Sequence, residues 1–126
     1  MTNPIEVGKY LGREFHWRNY NCWDFIRDVW LDHCGVDLGR RTPDSITTQD
    51  FLKAFSGQEF DVHNRIVHQI AQPEEPCLVY MSRPNSLSHV GVWVQGRLLH
   101  LRPRGNVVHE DFELASIGFP EIRFYK

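Results

Sequence analysis

The chain has 126 residues, a formal net charge of -2 and a 41% share of hydrophobic residues. This length is enough for one domain with its own core, so we expect residues 1–126 to form a single domain. The near-neutral charge gives no reason to expect nucleic acid or an anionic membrane surface as the main partner. Three cysteines with no short spacing between them argue against a disulfide framework and a zinc ribbon, and they fit a reducing compartment.

The first eight residues contain neither a basic head nor an apolar run, which is not the pattern of a secretory signal. No stretch of the sequence is long and apolar enough to cross a bilayer as a helix. We therefore expect a protein that is cytoplasmic as synthesised and that has no membrane as its partner.

The first third of the sequence is predicted to be helical. A short helix is expected over residues 3–11, followed by a longer amphipathic helix over Cys22–Cys34. The segment 39–44 has the composition of a loop, and a further short helix is expected between residues 47 and 57.

From residue 77 onwards the hydrophobic pattern has a period of two, which predicts strands separated by turns. The strands are expected over residues 77–81, 89–94, 97–101, 106–109 and 122–125. Helices first and meandering strands afterwards are typical of an α+β domain. We therefore predict N-terminal helices packed on a mostly antiparallel sheet of about five strands.

One cysteine lies where the longer helix begins. Asn21 is a favoured N-cap residue, and Asp24 three positions on gives a capping-box-like start, so Cys22 falls in the first turn. Unpaired backbone N–H groups and the helix dipole stabilise a thiolate there, although Asp24 offsets part of the effect. The alternative is a structural role, because free cysteines are among the most buried residues and Cys22 opens an apolar stripe.

Two histidines are predicted to share one face of the sheet. A two-residue turn at 95–96 would place Gly91 opposite His100 in the ladder. His89 lies two residues from Gly91, so it points to the same face and sits diagonal to His100, at roughly 7–8 Å. A three-residue loop would separate the two histidines, which could also be ordinary strand residues, since the chain has seven histidines.

A cysteine at a helix N-terminus and two facing histidines are together the groups that a thiol hydrolase uses. In this hypothesis Cys22 is the nucleophile, and His89 forms a thiolate–imidazolium pair with it before protonating the leaving amine. His100 orients the ring of His89 and selects its tautomer. The oxyanion would meet backbone N–H groups at the helix start, alone or with one nearby side-chain donor.

The same three residues could instead bind zinc. Their spacing matches no standard metal motif, and a cysteine at a helix N-terminus needs no metal to be activated. We therefore predict neither a metal ion nor another cofactor.

The order of these segments resembles the NlpC-type cysteine peptidases, papain-like enzymes of bacteria and phages that cut peptidoglycan stem peptides. The resemblance covers about residues 11–108 and rests on LGREF at 11–15, NCWDFIR at 21–27, EPCLVYM at 75–81, HVGVWV at 89–94, LLHL at 98–101 and GNVV at 105–108. In that family the matching positions are the nucleophilic cysteine, a histidine that opens a strand and a polar third residue on the next strand. The resemblance implies those roles for Cys22, His89 and His100. It also implies a papain-like fold and a peptidoglycan or muropeptide substrate.

Within that family, the Cys-Trp start of the helix and Arg27 look most like members carried by tailed phages. A structural tail component with weak or no activity, partnered by other tail proteins, is therefore the alternative to an enzyme. Assembly into a phage tail or delivery to the cell wall is the expected route to the substrate.

Two positions near the cysteine depart from the family pattern. The acid that commonly precedes the cysteine is Asn21 here. An upstream tyrosine that helps to build the oxyanion site is replaced by Phe15, with Tyr20 or Tyr10 as candidate substitutes.

The remaining candidates show no pattern that points to chemistry. Cys34 and Cys77 are expected to be structural thiols. Arg102 and Arg104 could bind a substrate carboxylate, but a solvated loop is the simpler interpretation. Three tryptophans could line a groove or fill the core: Trp17, Trp23 and Trp93.

Overall fold

The computed structural model describes residues 2–16, 20–38, 67–82, 89–102 and 104–126. In these ranges the helices are α1 (Val7–Tyr10), α2 (Cys22–Cys34) and α3 (Phe112–Ala115). The strands are β1 (Gln69–Ile70), β2 (Cys77–Ser82), β3 (His89–Val94), β4 (Arg97–Leu101), β5 (Val107–Glu110) and β6 (Glu121–Tyr125). The loop predicted at 39–44 and the helix predicted between residues 47 and 57 lie outside the described residues. No helix in the described ranges is long and apolar enough to span a membrane.

The strands of the described residues form one sheet in the order β1-β6-β2-β3-β4-β5, and every neighbouring pair is antiparallel. The predicted α+β class, with helices packed on an antiparallel sheet, is confirmed. The count of about five strands is low by one, because β1 is only two residues long and too short to show an alternating pattern. The sequence also failed to predict α3, a single turn that the side chain of Asp111 caps.

The helix α2 begins and ends where its sequence signals predict. The side chain of Asn21 accepts hydrogen bonds from the backbone N–H groups of Trp23 and Asp24, and the Asp24 carboxylate accepts one from the Asn21 N–H. Gly35 ends the helix in the left-handed region, with φ at 74°. This reciprocal capping holds Cys22 in the first turn.

The N-terminal helix is shorter than the predicted span of 3–11. The Asn3 backbone N–H donates to the His33 carbonyl at 2.6 Å, and the Asn3 carbonyl lies 2.5 Å from Nδ1 of the same histidine. This pairing with the last turn of α2 ties the first residues down outside a helix, so that α1 covers only Val7–Tyr10.

The main core of the described structure lies between α2 and one face of the sheet. On the helix, Phe25, Ile26 and Val29 are completely buried. The residues of β3 and β4 in the same cluster alternate along their strands and are Val90, Val92, Val94, Leu99 and Leu101. Each fully buried aliphatic side chain contributes about 1.5–3 kcal/mol, so this alternation determines which strand residues face α2.

The opposite face of the sheet carries a smaller apolar cluster built on Val79, Met81 and Leu98. Partly buried aromatic residues pack against it: Trp93, Phe112, Phe119 and Phe124. Because His89 and Gly91 alternate with the valines of β3, they belong to this face, as predicted.

The register of the β3–β4 hairpin is the one predicted from a two-residue turn. Val92 pairs with Leu99, and one further step along this register sets Gly91 opposite His100. The three-residue loop that would separate the two histidines is excluded.

Gly91 lies where the two strands leave no room for a side chain. A Cβ atom on Gly91 would lie 2.8 Å from Leu98 Cδ1, 3.0 Å from His100 Cβ and 3.1 Å from the Leu99 carbonyl oxygen. The missing side chain therefore gives His100 its space.

Replacement of Gly91 by alanine is expected to destabilise the protein by about 1–3 kcal/mol, because the new methyl group would collide with the neighbouring strand. The free energy of unfolding in urea is the measurement. Gly8→Ala is the matched control, since no atom lies within 4 Å of a Cβ at Gly8 and alanine is the better helix former. Equal stability of Gly91→Ala and wild type would show that this strand spacing is wrong.

Candidate active site

Four side chains on and beside β3, β4 and β5 form one continuous chain of hydrogen bonds. His89 Nε2 lies 2.7 Å from His100 Nδ1, and His100 Nε2 lies 2.7 Å from Glu110 Oε1. The second carboxylate oxygen of Glu110 accepts a hydrogen bond from Arg102 at 2.6 Å. Both histidines are buried, Glu110 is partly buried and Arg102 is exposed. The prediction that His89 and His100 lie side by side is confirmed.

The carboxylate at the end of this chain determines which nitrogen of each ring carries a proton. An ionised carboxylate only accepts hydrogen bonds, so His100 Nε2 donates to Glu110. A neutral His100 then has a lone pair on Nδ1, which accepts from His89 Nε2–H. As a result, His89 Nδ1 carries a lone pair and no proton.

Burial keeps both imidazoles neutral. Burial, with a smaller contribution from His100, lowers the pKa of His89 to about 3. Burial also lowers the pKa of His100, although the hydrogen bond to Glu110 favours the charged ring. For Glu110, burial opposes ionisation, but the hydrogen bonds from Arg102 and His100 outweigh it and hold the pKa below its usual value. The chain at neutral pH is therefore a carboxylate followed by two neutral rings.

The environment of Cys22 differs from the one that its helix position predicts. Burial raises the pKa of Cys22 to about 12, and it outweighs the backbone N–H groups of Val90, Trp23 and Cys22, which favour the thiolate. The expected stabilisation of a Cys22 thiolate by the helix start is therefore wrong for this structure. The physical cause is the desolvation of a charged sulfur by the core, which the position in a helix does not reveal.

The structure brings Cys22 to the start of β3 but not into a hydrogen bond with His89. The Val90 backbone N–H is one of the groups that lower the pKa of Cys22 against the effect of burial, so the sulfur lies near the residue that follows His89. His89 Nδ1 has no hydrogen-bond partner within the described residues. The expected thiolate–imidazolium pair is therefore absent from these residues, and thiol and imidazole are both neutral.

Neither candidate tyrosine is free to donate to an oxyanion. Tyr20 gives its single hydroxyl proton to Asp28 at 2.8 Å, and its oxygen accepts a hydrogen bond from Arg13. Tyr10 gives its proton to Asp32 at 2.6 Å. Because both acceptors are carboxylates, neither proton can turn elsewhere without breaking its bond. The suggestion that Tyr20 or Tyr10 serves the oxyanion is wrong for this arrangement.

Two buried side-chain polar atoms have no hydrogen-bond partner in the part of the chain that the structure describes: Asn21 Nδ2 and His89 Nδ1. An unpaired buried polar group costs about 1–3 kcal/mol, so such atoms are rare in folded proteins and need an explanation. The first is a donor on the residue before Cys22. The second is an acceptor on the residue before Val90, whose N–H lies near the Cys22 sulfur.

The other cysteines and the tryptophans have mainly structural positions. Cys77 is completely buried, and Cys34 donates a hydrogen bond to a backbone carbonyl of its own helix. Trp23 belongs to the main core, and Trp93 packs against the aromatic residues of the second cluster. Trp17 lies outside the described residues.

Sequence reasoning missed Glu110 and left Arg102 as a loop residue. Glu110 lies one residue beyond the strand predicted at 106–109. The signal that could have found it is alternation: His100 pairs with Val108, so Glu110 returns to the same face two residues later. Arg102 pairs with this carboxylate, whereas Arg104 is exposed, as the loop interpretation requires.

The geometry gives no support to the zinc alternative. Both ring nitrogens of His100 are already hydrogen-bonded, to His89 and to Glu110. Across the described ranges, no group of three or more His, Cys, Asp or Glu side chains is arranged to hold a metal ion.

Comparison with solved structures identifies the fold. The chain is similar to the NlpC/p60 domain of the peptidoglycan hydrolase SagA, with a TM-score of 0.58 over 93% of this chain and 90% of that chain. The sequence identity is 17%, so the similarity shows the fold and not the activity. No protein-family model matches the sequence, and no curated protein is significantly similar to it. The α+β fold described above is that of an NlpC/p60 domain.

We expect His89 and His100 both to carry their proton on Nε2, and the Glu110 carboxylate to be the cause. Long-range ¹H–¹⁵N spectra of the imidazoles at neutral pH measure this directly. Glu110→Gln should preserve both tautomers, because an amide oxygen still accepts from His100 Nε2–H, whereas Glu110→Ala should mix them. His109 Nε2–H donates to the Val94 carbonyl at 2.8 Å, which fixes its tautomer and provides an internal control in the same spectra. A proton on His89 Nδ1 in the wild type would contradict the assignment.

The free energy of unfolding should fall as the pH is lowered from about 6.5 towards 3. In the unfolded chain His89 takes up a proton near its ordinary pKa of 6.5, whereas burial keeps it neutral in the folded protein down to about 3. The unfolded state therefore binds more protons in this window. The stability contributed by neutral His89 is complete above 6.5 and is lost as the pH falls. One such group gives a slope of up to about 1.4 kcal/mol per pH unit.

Urea unfolding over this pH range tests the slope. His89→Asn should make it shallower, because asparagine does not titrate. Gln69→Asn is the control, since Gln69 is exposed and neither side chain titrates, so the slope should stay unchanged. A slope that His89→Asn does not alter would show that His89 is not the group responsible.

Proposed function

We propose that the protein is a cysteine hydrolase that cleaves amide bonds, with Cys22 as nucleophile, His89 as base and His100 as the residue that positions His89. One observation carries this proposal: the chain from Glu110 leaves a bare lone pair on His89 Nδ1, at the strand end where the Val90 N–H lies near the Cys22 sulfur. A thiol and an unprotonated imidazole nitrogen are the two groups that nucleophilic catalysis by cysteine requires.

In the proposed acylation step the Cys22 sulfur adds to the carbonyl carbon of a substrate amide, and its proton passes to His89 Nδ1. A C–S bond forms while the carbonyl π electrons move onto oxygen. When this intermediate collapses, the C–N bond breaks and the proton on Nδ1 goes to the departing amine. His89 is then neutral again, and the substrate acyl group is a thioester on Cys22.

In deacylation the same lone pair of His89 activates a water molecule. His89 Nδ1 takes a proton from water while the water oxygen bonds to the thioester carbon. The C–S bond then breaks. The sulfur recovers its proton from His89 and the acyl group leaves as a carboxylic acid. In both steps His89 is transiently cationic, and the chain through His100 to the Glu110 carboxylate stabilises that charge.

The neutral resting state favours proton transfer during the attack over a preformed ion pair. Burial raises the pKa of Cys22 and lowers that of His89, so separating charge before substrate binds is unfavourable. The developing negative charge passes through sulfur to the carbonyl oxygen as the attack proceeds. General-base assistance by His89 therefore fits the buried site better than a stored thiolate does.

We further propose peptidoglycan stem peptides or muropeptides as the substrate. The support is the resemblance of the motifs around Cys22, His89 and His100, together with a fold shared with a domain of a peptidoglycan hydrolase. Assembly into a phage tail, with tail proteins as partners, or delivery to the cell wall belongs to the same proposal.

The burial of Cys22 favours one alternative, a tail component that keeps the fold with weak or no activity. A structural protein needs no activated thiol, and the buried, neutral thiol is consistent with that role. Mutant kinetics separate the two functions.

Cys22→Ala and His89→Ala should each reduce turnover of muropeptides at least about 10³-fold, and the double variant should lose little more, because the two residues act in one step. His100→Asn should keep partial activity, since an amide oxygen can accept the His89 Nε2–H, and His100→Ala should lose more. The measurement is product mapping by mass spectrometry with rates per folded molecule.

Cys34→Ser is the matched control for this experiment. It removes another thiol of the same helix, at the end opposite to Cys22. The rate constant per folded molecule should therefore stay unchanged. Processing of muropeptides by Cys22→Ala at the wild-type rate, or no turnover of any peptide substrate by the wild type, would favour the structural alternative.

A further inference from the structure

Asn21 presents a fixed hydrogen-bond donor that the capping of α2 does not use. The residue is 2% exposed. Its Oδ1 atom accepts from the Trp23 N–H at 3.0 Å and from the Asp24 N–H at 3.1 Å. Its Nδ2 atom has no hydrogen-bond partner within the described residues.

The orientation of this amide follows from its own contacts. A flipped amide would set its NH₂ group against two backbone N–H donors, so Oδ1 must face the helix and Nδ2 must face away. The capping bonds therefore aim the NH₂ group and hold it still. A donor that is already oriented needs no rearrangement when charge develops near it.

The other candidate donors to the oxyanion are largely occupied. The Trp23 and Asp24 N–H groups bind Asn21 Oδ1. The hydroxyl protons of Tyr10 and Tyr20 are held by carboxylates. Among the described residues, the buried side-chain donor without a partner is on the residue that directly precedes Cys22.

We propose that Asn21 Nδ2 donates a hydrogen bond to the oxyanion that forms when the Cys22 sulfur adds to the substrate carbonyl. This assignment rests on the proposed function, and it makes Asn21 a catalytic residue as well as a helix cap. The substrate oxygen would supply the partner that the amide lacks in the described structure. Because the amide does not titrate, its contribution is independent of pH, unlike that of His89.

The two roles of Asn21 predict different effects of substitution. Asparagine, aspartate and serine are about equally good N-caps, so a purely structural Asn21 tolerates either replacement. An oxyanion donor tolerates neither, because serine has no group that reaches as far and aspartate has no N–H and carries negative charge. Aspartate also keeps the oxygen that accepts both capping hydrogen bonds, and it suits the positive end of the helix dipole, so Asn21→Asp should fold.

The experiment compares Asn21→Ser, Asn21→Asp and wild type on muropeptides, with separate kcat and KM values. We expect kcat to fall roughly 10²–10³-fold in Asn21→Ser and further in Asn21→Asp, with little change in KM. Alkylation of Cys22 by iodoacetamide, followed by peptide mass mapping, passes through no oxyanion and should not slow in Asn21→Ser. Asp111→Asn, an exchange at the cap of α3, is the matched control and should keep the wild-type kcat.

Three other outcomes overturn the assignment. If Asn21→Asp and Asn21→Ser keep the wild-type kcat while Cys22→Ala is inactive, the oxyanion role is wrong and the hydrolase function stands. If turnover and alkylation fall together in Asn21→Ser, Asn21 acts by positioning the helix and not by binding the oxyanion. If Asn21→Ser does not fold, the kcat of Asn21→Asp decides. No turnover by the wild type removes the proposed function, and the oxyanion role with it.

Discussion

The hydrogen bond between Glu110 and His100 is the interaction on which the chemistry of this site depends. A carboxylate cannot donate a hydrogen bond, so it fixes which atom donates in each hydrogen bond of the chain. Without that anchor the pair of neutral imidazoles could be reversed, with His100 donating to His89 and the proton of His89 on Nδ1. The reversed pair would have nearly the same geometry and no base. Glu110, a partly buried acid on β5, thus decides which nitrogen of His89 carries the proton, although two hydrogen bonds separate the two side chains.

This chain of bonds depends in turn on the register of β3, β4 and β5. A slip of one residue would move His89 off the sheet face that carries His100 and turn Val90 out of the main core. The burial of Val90, Val92 and Leu99 against α2 opposes that slip, because each of these side chains is completely buried. The same alternation that builds the core therefore aligns the histidines, and Gly91 allows the two strands to approach closely enough for their rings to bond.

The parts of this structure that could be predicted from the sequence are those with local causes. The start of α2 follows from Asn21 and Asp24, and the hairpin register follows from the length of its turn. Glu110 was missed because β5 was predicted to end one residue early. The pKa of Cys22 was predicted in the wrong direction, because the helix terminus is a local feature whereas desolvation comes from strands far away in the sequence. The two-residue strand β1 has no pattern of its own and exists only through its pairing with β6.

The proposed hydrolysis is compatible with a buried, neutral Cys22 thiol if the site is built for the charge that appears during the reaction. Storing a thiolate and an imidazolium under the core would require two desolvated ions at rest. In the described structure the unpaired atoms are instead a lone pair on His89 and an N–H group on Asn21. The lone pair can take the proton that Cys22 releases, and the N–H group can receive the charge that reaches the carbonyl oxygen. In the proposed mechanism each is poorly satisfied before the substrate binds and well satisfied in the transition state. Interactions of that kind accelerate a reaction because they are stronger there than in the ground state.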